Sequence, residues 1–457
     1  MVPDTERIFL HDSGGLDIDP YQEQTLMTRM CRALLPVICC FCATAPAQPI
    51  VMNGGMVPQF LGKNLSDLRM TDGTGRSIAF QIDEVTEAGE YVCDQGPEPN
   101  TAEGNGVLDS TDEISFLWED GAEGFGAGDG VGAAGTENAT RVRITVGDRR
   151  GRERRHYFLY DAPSVALSNM RYVTYDARKE QVETPWYYAQ FGHDRFHFIR
   201  AGVRPPTWAD GYINLTNELR IKIQLRTLFG LIPIRYTEDN IVCLVKRYKV
   251  GPIRLLRRGD FHLRLGLWIK GSNASVNQIC YPQMVGVPVF VHLPVRFKTF
   301  FRDAYIEMTP VITAEGRLFS FHVPRQGVFT PLGGMQSLDT LYDRNPNNGF
   351  MTVDDGSSGY GWLLETTMPD SLMHGGGYIV KRPTDRDGIA HCGFRLTLRD
   401  IPKGYYLITN WVLFSKEGAG GLLQTCNALT SPARVDVSGS GTFVNRIKRI
   451  RTKAGKN

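Results

Sequence analysis

Two stretches of this 457-residue chain carry side chains at spacings that could do chemistry. The first is Thr101–Glu113, TAEGNGVLDSTDE. With Gly106 as the sixth position of a calcium loop, Glu103 falls at position 3, Asn105 at 5, Asp109 at 9 and Asp112 at 12. Calcium takes hard oxygen ligands around a tight glycine turn, and this spacing would bring side-chain oxygens to one point. Thr101 stands where Asp is usual, Asp112 replaces the longer bidentate Glu, and no clear helix flanks the loop. The competing reading is an acidic turn whose Asp side chains cap backbone amides. Glu119, Asp120, Glu123 and Asp129 lie close enough in sequence to complete a cation site or to be solvated loop charge.

The second stretch is Phe191–Phe198, FGHDRFHF. As a strand it would put His193, Arg195 and His197 on one face and Asp194, Phe196 and Phe198 on the other. Histidines four residues apart on a strand are about 13 Å apart, too far to share one metal. A His–Arg–His stripe could instead line a cleft for acidic sugars, with His as general base and Arg on a carboxylate. Tyr187 or Tyr188 would then serve as acid, with Trp186, Trp208 and Tyr212 available to stack on sugar rings. The competing reading is a half-exposed strand with aromatic core neighbours.

Other motifs are weaker. Asp354-Asp355 and Asp385–Gly388 resemble calcium or turn motifs, with turns the favoured reading. His374–Gly377 (HGGG) has no G-x-S-x-G elbow to partner it. Gly130–Gly135 (GVGAAG) follows no strand and opens no helix, so it is not a nucleotide fingerprint, and neither a P-loop nor H-E-x-x-H occurs.

The elements that must position these residues are strands. Leu219–Leu228 (LRIKIQLRTL) alternates apolar with basic or polar residues, the signature of a strand with one wet face. Ser77–Ile82, Ile114–Leu117, Arg141–Val146, His156–Tyr160, Ile241–Tyr248, Ile253–Leu256, Phe261–Ile269 and Ala304–Ile312 read as further strands. So do Gly361–Thr366, Gly393–Leu398 and Tyr405–Leu413. Gly251-Pro252 and Gly259-Asp260 read as turns. Pro288 and Pro294 place Val285–Val295 at a sheet edge or bend. The basic clusters Lys246–Lys249 and Arg254–Arg258 read as solvated strand faces. With 49 Gly and 25 Pro, few windows support a helix. The fold expected is all-β: an N-terminal β domain over 48–163, then a larger antiparallel β-sandwich or supersandwich over 164–435. Residues 436–457 form a basic tail.

The start of the chain reads as an address. Arg29 and Arg32, the apolar run Ala33–Cys42 and Ala45-Pro46-Ala47 before Gln48 have the layout of a secretory signal peptide over 27–47. Met1–Leu26 then reads as a misassigned extension. Removal of the leader leaves Cys93, Cys243, Cys280, Cys392 and Cys426, at no zinc spacing and with no pairing that spacing decides. Lys+Arg of 51 against Asp+Glu of 49 lacks the basic surplus of a nucleic-acid binder. No apolar run is long enough for a membrane helix.

Several stretches resemble a family of exported, β-rich bacterial proteins with no established activity. They are SIAFQIDE at Ser77–Glu84, NGVLDSTDEISFLWEDG at Asn105–Gly121, MRYVTYD at Met170–Asp176, FGLIPIRYTEDNIVCLVKRYKVGPIRLLRR at Phe229–Arg258 and FFRDAYIEM at Phe300–Met308. The FQIDE and DEISF segments are also similar to an N-terminal module of secreted polysaccharide-degrading proteins, which implies a supersandwich akin to galactose mutarotases. Neither resemblance carries functional residues over.

The expectation is an exported protein, periplasmic, on the outer surface or secreted. It would be non-catalytic, calcium-stabilised if the acidic loop is a site, and would bind a glycan or an envelope protein. The rival is a carbohydrate-active enzyme, a uronate-polysaccharide lyase or a mutarotase-like epimerase, using His193, Arg195, His197 and Tyr187 or Tyr188. A structural partner of an outer-membrane assembly is a third class and would show a broad exposed apolar patch.

Overall fold

A computed structural model describes residues 48–123, 139–147, 153–195, 197–204, 212–227, 230–263, 274–293, 296–299, 301–312, 319–323, 328–331, 340–343, 349–367, 377–381, 391–398, 401–430, 433–437 and 440–444. Asp129, Trp208, His374, Asp385–Gly388 and the leader fall outside these residues, as do Gly130–Gly135 and the chain after Val444.

The fold is all-β, as the sequence predicts, and the described residues form four antiparallel sheets. A ten-stranded sheet and a nine-stranded sheet share one core. The first contributes Val182, Tyr187, Ala189, Phe191, Met308 and Phe394 to that core; the second contributes Leu255, Cys280, Met351, Trp362 and Phe414. This is the large sandwich.

The nine-stranded sheet is covered on its other face too. Leu255 packs into the sandwich, while its neighbour Leu256 packs with Val51, Leu117, Tyr91 and Cys93 of the N-terminal region. Burial on both faces explains near-continuous apolar runs such as Gly359–Thr366 (GYGWLLET). The N-terminal region holds a three-stranded sheet, in which Glu113–Leu117 lies between Pro49–Asn53 and Phe80–Asp83. It also holds a six-stranded sheet around Arg141–Gly147 and Arg154–Asp161. Ala433–Val437 pairs with Arg141–Gly147 and so joins the sheet of the expected N-terminal domain.

Three local expectations change. Gly259-Asp260 is no turn: Leu255–Leu263 is one strand, paired along its length with Ile241–Val250 and with Ala274–Tyr281. Met284–Leu293 lies between two strands, but its pairing with Ala274–Tyr281 covers only Met284–Gly286. That edge is therefore open at Pro288, where a missing N–H is tolerated. Gly418–Thr430 is an α-helix, docked through Leu422 and Cys426 at i, i+4.

Candidate functional site

The charged residues of two of the motifs meet where the three-stranded sheet packs on the nine-stranded one. Gln81 and Asp83 come from the Phe80–Asp83 strand, Glu113 from its neighbour, and Arg254 from the residue just before Leu255–Leu263. Arg254 is 1% exposed. Its Nη2 lies 2.7 Å from Asp83 Oδ2 and 2.9 Å from Glu113 Oε2, and its Nη1 donates to Tyr281 Oη at 2.8 Å. Lys249 Nζ stands 3.0 Å from Asp83 Oδ1, and Tyr91 Oη donates to Glu113 Oε2 at 3.0 Å. Gln81 Oε1 accepts the Arg254 amide at 2.9 Å. A Cβ at Gly251 would stand 1.9 Å from that oxygen, so glycine is what lets the turn approach.

Two buried carboxylates are thus neutralised by the buried Arg254 and the half-buried Lys249, as buried charge requires. Burial pushes the Asp83 carboxyl up, but Lys249 and Arg254 outweigh it and hold it below the usual range. Burial, then the Arg254 charge, leaves Tyr281 at about 12. One turn of chain further on, Arg257 faces the sandwich instead. It is tied to Glu180, Gln278 and Tyr175 and lies 4.4 Å over the Phe191 ring. Glu180 adopts φ 51°, a left-handed backbone that non-glycine residues rarely take. The expectation of a solvated basic face at Arg254–Arg258 is therefore overturned for Arg254 and Arg257. Strand alternation sends the two guanidinium groups to opposite buried faces, each with its own carboxylates.

The acidic loop folds as a turn around Gly106, whose φ is +73°. Glu103, Asn105, Asp109 and Asp112 line a pocket of about 850 Å³ with Glu84 and Glu87. Several of their oxygens are already engaged. Asp112 accepts the amides of Val85 at 2.9 Å and Asp109 at 2.7 Å. Asn105 donates to Asp109 Oδ2 at 2.8 Å and accepts the Val107 amide at 3.0 Å. Glu103 Oε2 accepts from Asn100 at 3.0 Å, and Glu84 Oε1 accepts two loop amides. This is amide-capping geometry. Among the described residues, no group of three or more His, Cys, Asp or Glu side chains is placed to hold one metal ion. Burial raises the Asp112 carboxyl.

FGHDRFHF is a hairpin and not one strand. Tyr187–Phe191 ends at Gly192, and the return strand begins at Phe198. His193 is exposed, and half-buried Arg195 pairs with Asp239 at 2.9 Å. His197 is buried with no partner for Nε2, and burial, then the Arg195 charge, lowers its pKa to about 4. Tyr187 is fully buried and stacks on Phe414 at 4.4 Å, and burial raises its hydroxyl pKa far up. Tyr188 points to the other side of its strand, against Tyr212 at 4.5 Å. The structure does not gather these five side chains into a groove. A one-strand reading put them together because it ignored the turn that Gly192 and Asp194 make.

Among the described residues, Cys93, Cys243, Cys280, Cys392 and Cys426 are free and buried.

Sequence reasoning named the strand at 219–228 but missed the platform it builds. Ile213–Thr227 pairs on one side with Ile232–Thr237 and on the other with Phe301–Ile312, which pairs in turn with His391–Leu398. Directly opposed residues share a face. One row runs Arg235, Gln224, Tyr305, Thr397; the next runs Thr237, Lys222, Glu307, Arg395. Tyr305 lies between Lys222, 5.6 Å from its ring centre, and Arg395, 5.0 Å away, and donates its hydroxyl to Gln224 at 2.8 Å. Glu307 is buried beneath Arg395 and Lys381, which hold its carboxyl low against the effect of burial. Lys222, Arg226, Arg235 and Arg302 are exposed.

No family model and no curated protein matches the chain. Among solved structures it is similar to an alpha-mannosidase from Enterococcus faecalis V583, with TM-score 0.46, 8% identity, and coverage of 88% of this chain and 45% of that one. A protein in the glycosyl hydrolase family 38 from Enterococcus faecalis gives TM-score 0.46, 8% identity, and 87% and 48% coverage. A protein from Synechocystis sp. PCC 6803 gives TM-score 0.30, 8% identity, and 55% and 99% coverage. The chain spans less than half the length of the two Enterococcus chains.

Proposed function

We propose that this chain is an exported, non-catalytic β-sandwich protein that binds a glycan. The observation that carries the reading is the polar platform of Ile213–Thr227, Ile232–Thr237 and Phe301–Ile312. An extended sugar chain matches an open sheet face with an aromatic ring and many hydrogen-bond donors. Tyr305, half-buried and held between Lys222 and Arg395, adds an aromatic ring to the donors of that face. By contrast, the groups a sugar-cleaving site would draw on are consumed in ties between sheets or are divided between core and surface.

The export reading rests on the leader-like sequence before Gln48. Cleavage there would place the new ammonium beside Glu119, whose Oε2 accepts the Gln48 amide at 2.9 Å in a part-buried setting.

The test uses protein recovered from the medium or periplasm of cells expressing the full chain. We expect an intact mass starting at Gln48. On a polysaccharide array we expect binding that persists in a chelator and releases neither new reducing ends nor unsaturated uronates. Product release would favour the lyase or epimerase reading. Absence of binding to every polymer would remove the glycan reading.

A further inference from the structure

The platform carries more charge than a neutral sugar needs. We infer that its ligand is an anionic, uronate-bearing polysaccharide, lying along Ile213–Thr227 and Phe301–Ile312 with its carboxylates on Arg226 and Arg302. The inference rests on the glycan reading above and gives it a chemical class.

The first argument is the register. Arg226 and Arg302 are direct cross-strand partners, so both side chains leave the same face side by side. Like charges directly opposed destabilise a sheet by a few tenths of a kcal/mol or more. Arg226 is 52% exposed, and its only short acidic contact among the described residues is Asp303, 3.9 Å away and itself 75% exposed. A carboxylate bridging the two guanidinium groups would turn the repulsion into two charge-assisted bonds. The second argument is the surrounding field. Arg220, Lys222, Arg235 and Arg395 share this face with them, against Glu218, the buried Glu307 and Asp303 beside Arg226. Glu307 is spent beneath Lys381 and Arg395. The third is Tyr305, which puts a ring among the cations at the height of the sheet. A polymer that alternates ring faces with carboxylates meets both features at once. Duplex DNA offers charge without accessible ring faces, and a lipid surface offers no matching repeat.

The experiment measures binding of the exported full-length product to polygalacturonate, to its methyl ester, to duplex DNA and to vesicles of anionic phospholipid. The ester keeps the sugar backbone and removes the charge. We expect polygalacturonate to bind about tenfold or more tightly than its ester, and binding to weaken as salt rises. Arg226→Gln with Arg302→Gln should reduce affinity for polygalacturonate by about tenfold or more and leave the melting temperature unchanged or slightly raised. Equal binding of polymer and ester, or an unaffected double variant, would overturn the anionic inference while leaving the glycan reading in place. DNA or vesicles binding as tightly as polygalacturonate would also overturn it. No binding of any polysaccharide would remove both readings.

Discussion

Arg254 and Arg226 are the same residue in similar strand-rich, basic sequence, and the structure gives them opposite fates. Arg254 is 1% exposed and is met by Asp83, Glu113 and Tyr281. Arg226 is 52% exposed and opposes Arg302. A cation taken out of water must be neutralised where it sits, or the fold bears its desolvation. A cation left in water carries no such demand, so its charge stays available to a ligand. In this molecule the buried charges therefore hold sheets together, and the exposed ones are the place to look for binding.

The sharpest way to break that comparison is to remove Arg254. Arg254→Met should destabilise the protein by about 3–5 kcal/mol, because Glu113 stays buried with the Arg254 charge gone and Asp83 keeps only Lys249 as a cation. Denaturant unfolding measures it. Adding Asp83→Asn and Glu113→Gln should restore much of the loss, and a single-variant loss below about 1 kcal/mol would show that the cluster is dispensable.

His197 is a third case, a buried titratable group whose Nε2 has no partner. Its pKa is lowered to about 4 from 6.5, so the unfolded chain takes up the proton first as pH falls. Its contribution is complete above pH 6.5 and is lost on acidification toward pH 4, by about 3 kcal/mol. Stability measured across that window should fall in the native protein and flatten in His197→Phe. Equal slopes would mean that His197 is solvated.

Gly106→Ala tests the acidic turn. Nothing lies within 4 Å of the added Cβ, so the cost is backbone strain alone at φ +73°. We expect a loss of about 1 kcal/mol in thermal unfolding. No loss would mean that the turn relaxes to another conformation.

The smallest expected effect on stability is at the platform. Arg226→Gln with Arg302→Gln should change unfolding free energy by no more than about 0.5 kcal/mol, and in the stabilising direction. A large loss would place these arginines with Arg254 as structural groups and remove the contrast.

Period-2 alternation was enough to recognise Arg141–Val146, the Leu219–Leu228 part of Ile213–Thr227 and most of the other strands, and with them an all-β fold. It also showed which residues of one strand share a face, since alternate side chains must point the same way. The turn at Asp109 and Asp112 was legible in its local bonds, from Asp109 to Asp112 and within Asn105–Asp109, but not in its ties to Glu84 and Val85. Whether a face would be wet or buried was legible for one basic strand and not for another. LRIKIQLRTL keeps its basic residues outside, while IRLLRR buries Arg254 and Arg257 on opposite sides of one strand. Gly259-Asp260 looked like a turn because glycine weakens a strand, yet pairing on both sides carries the strand through it. Gly418–Thr430 is helical despite its glycines because Leu422 and Cys426 find a core. Arg254 meets Asp83 across 171 residues and Glu113 across 141, and Lys222 meets Glu307 only through strand register. Such partners are chosen by which sheets pack and in what register, and local spacing holds no record of that.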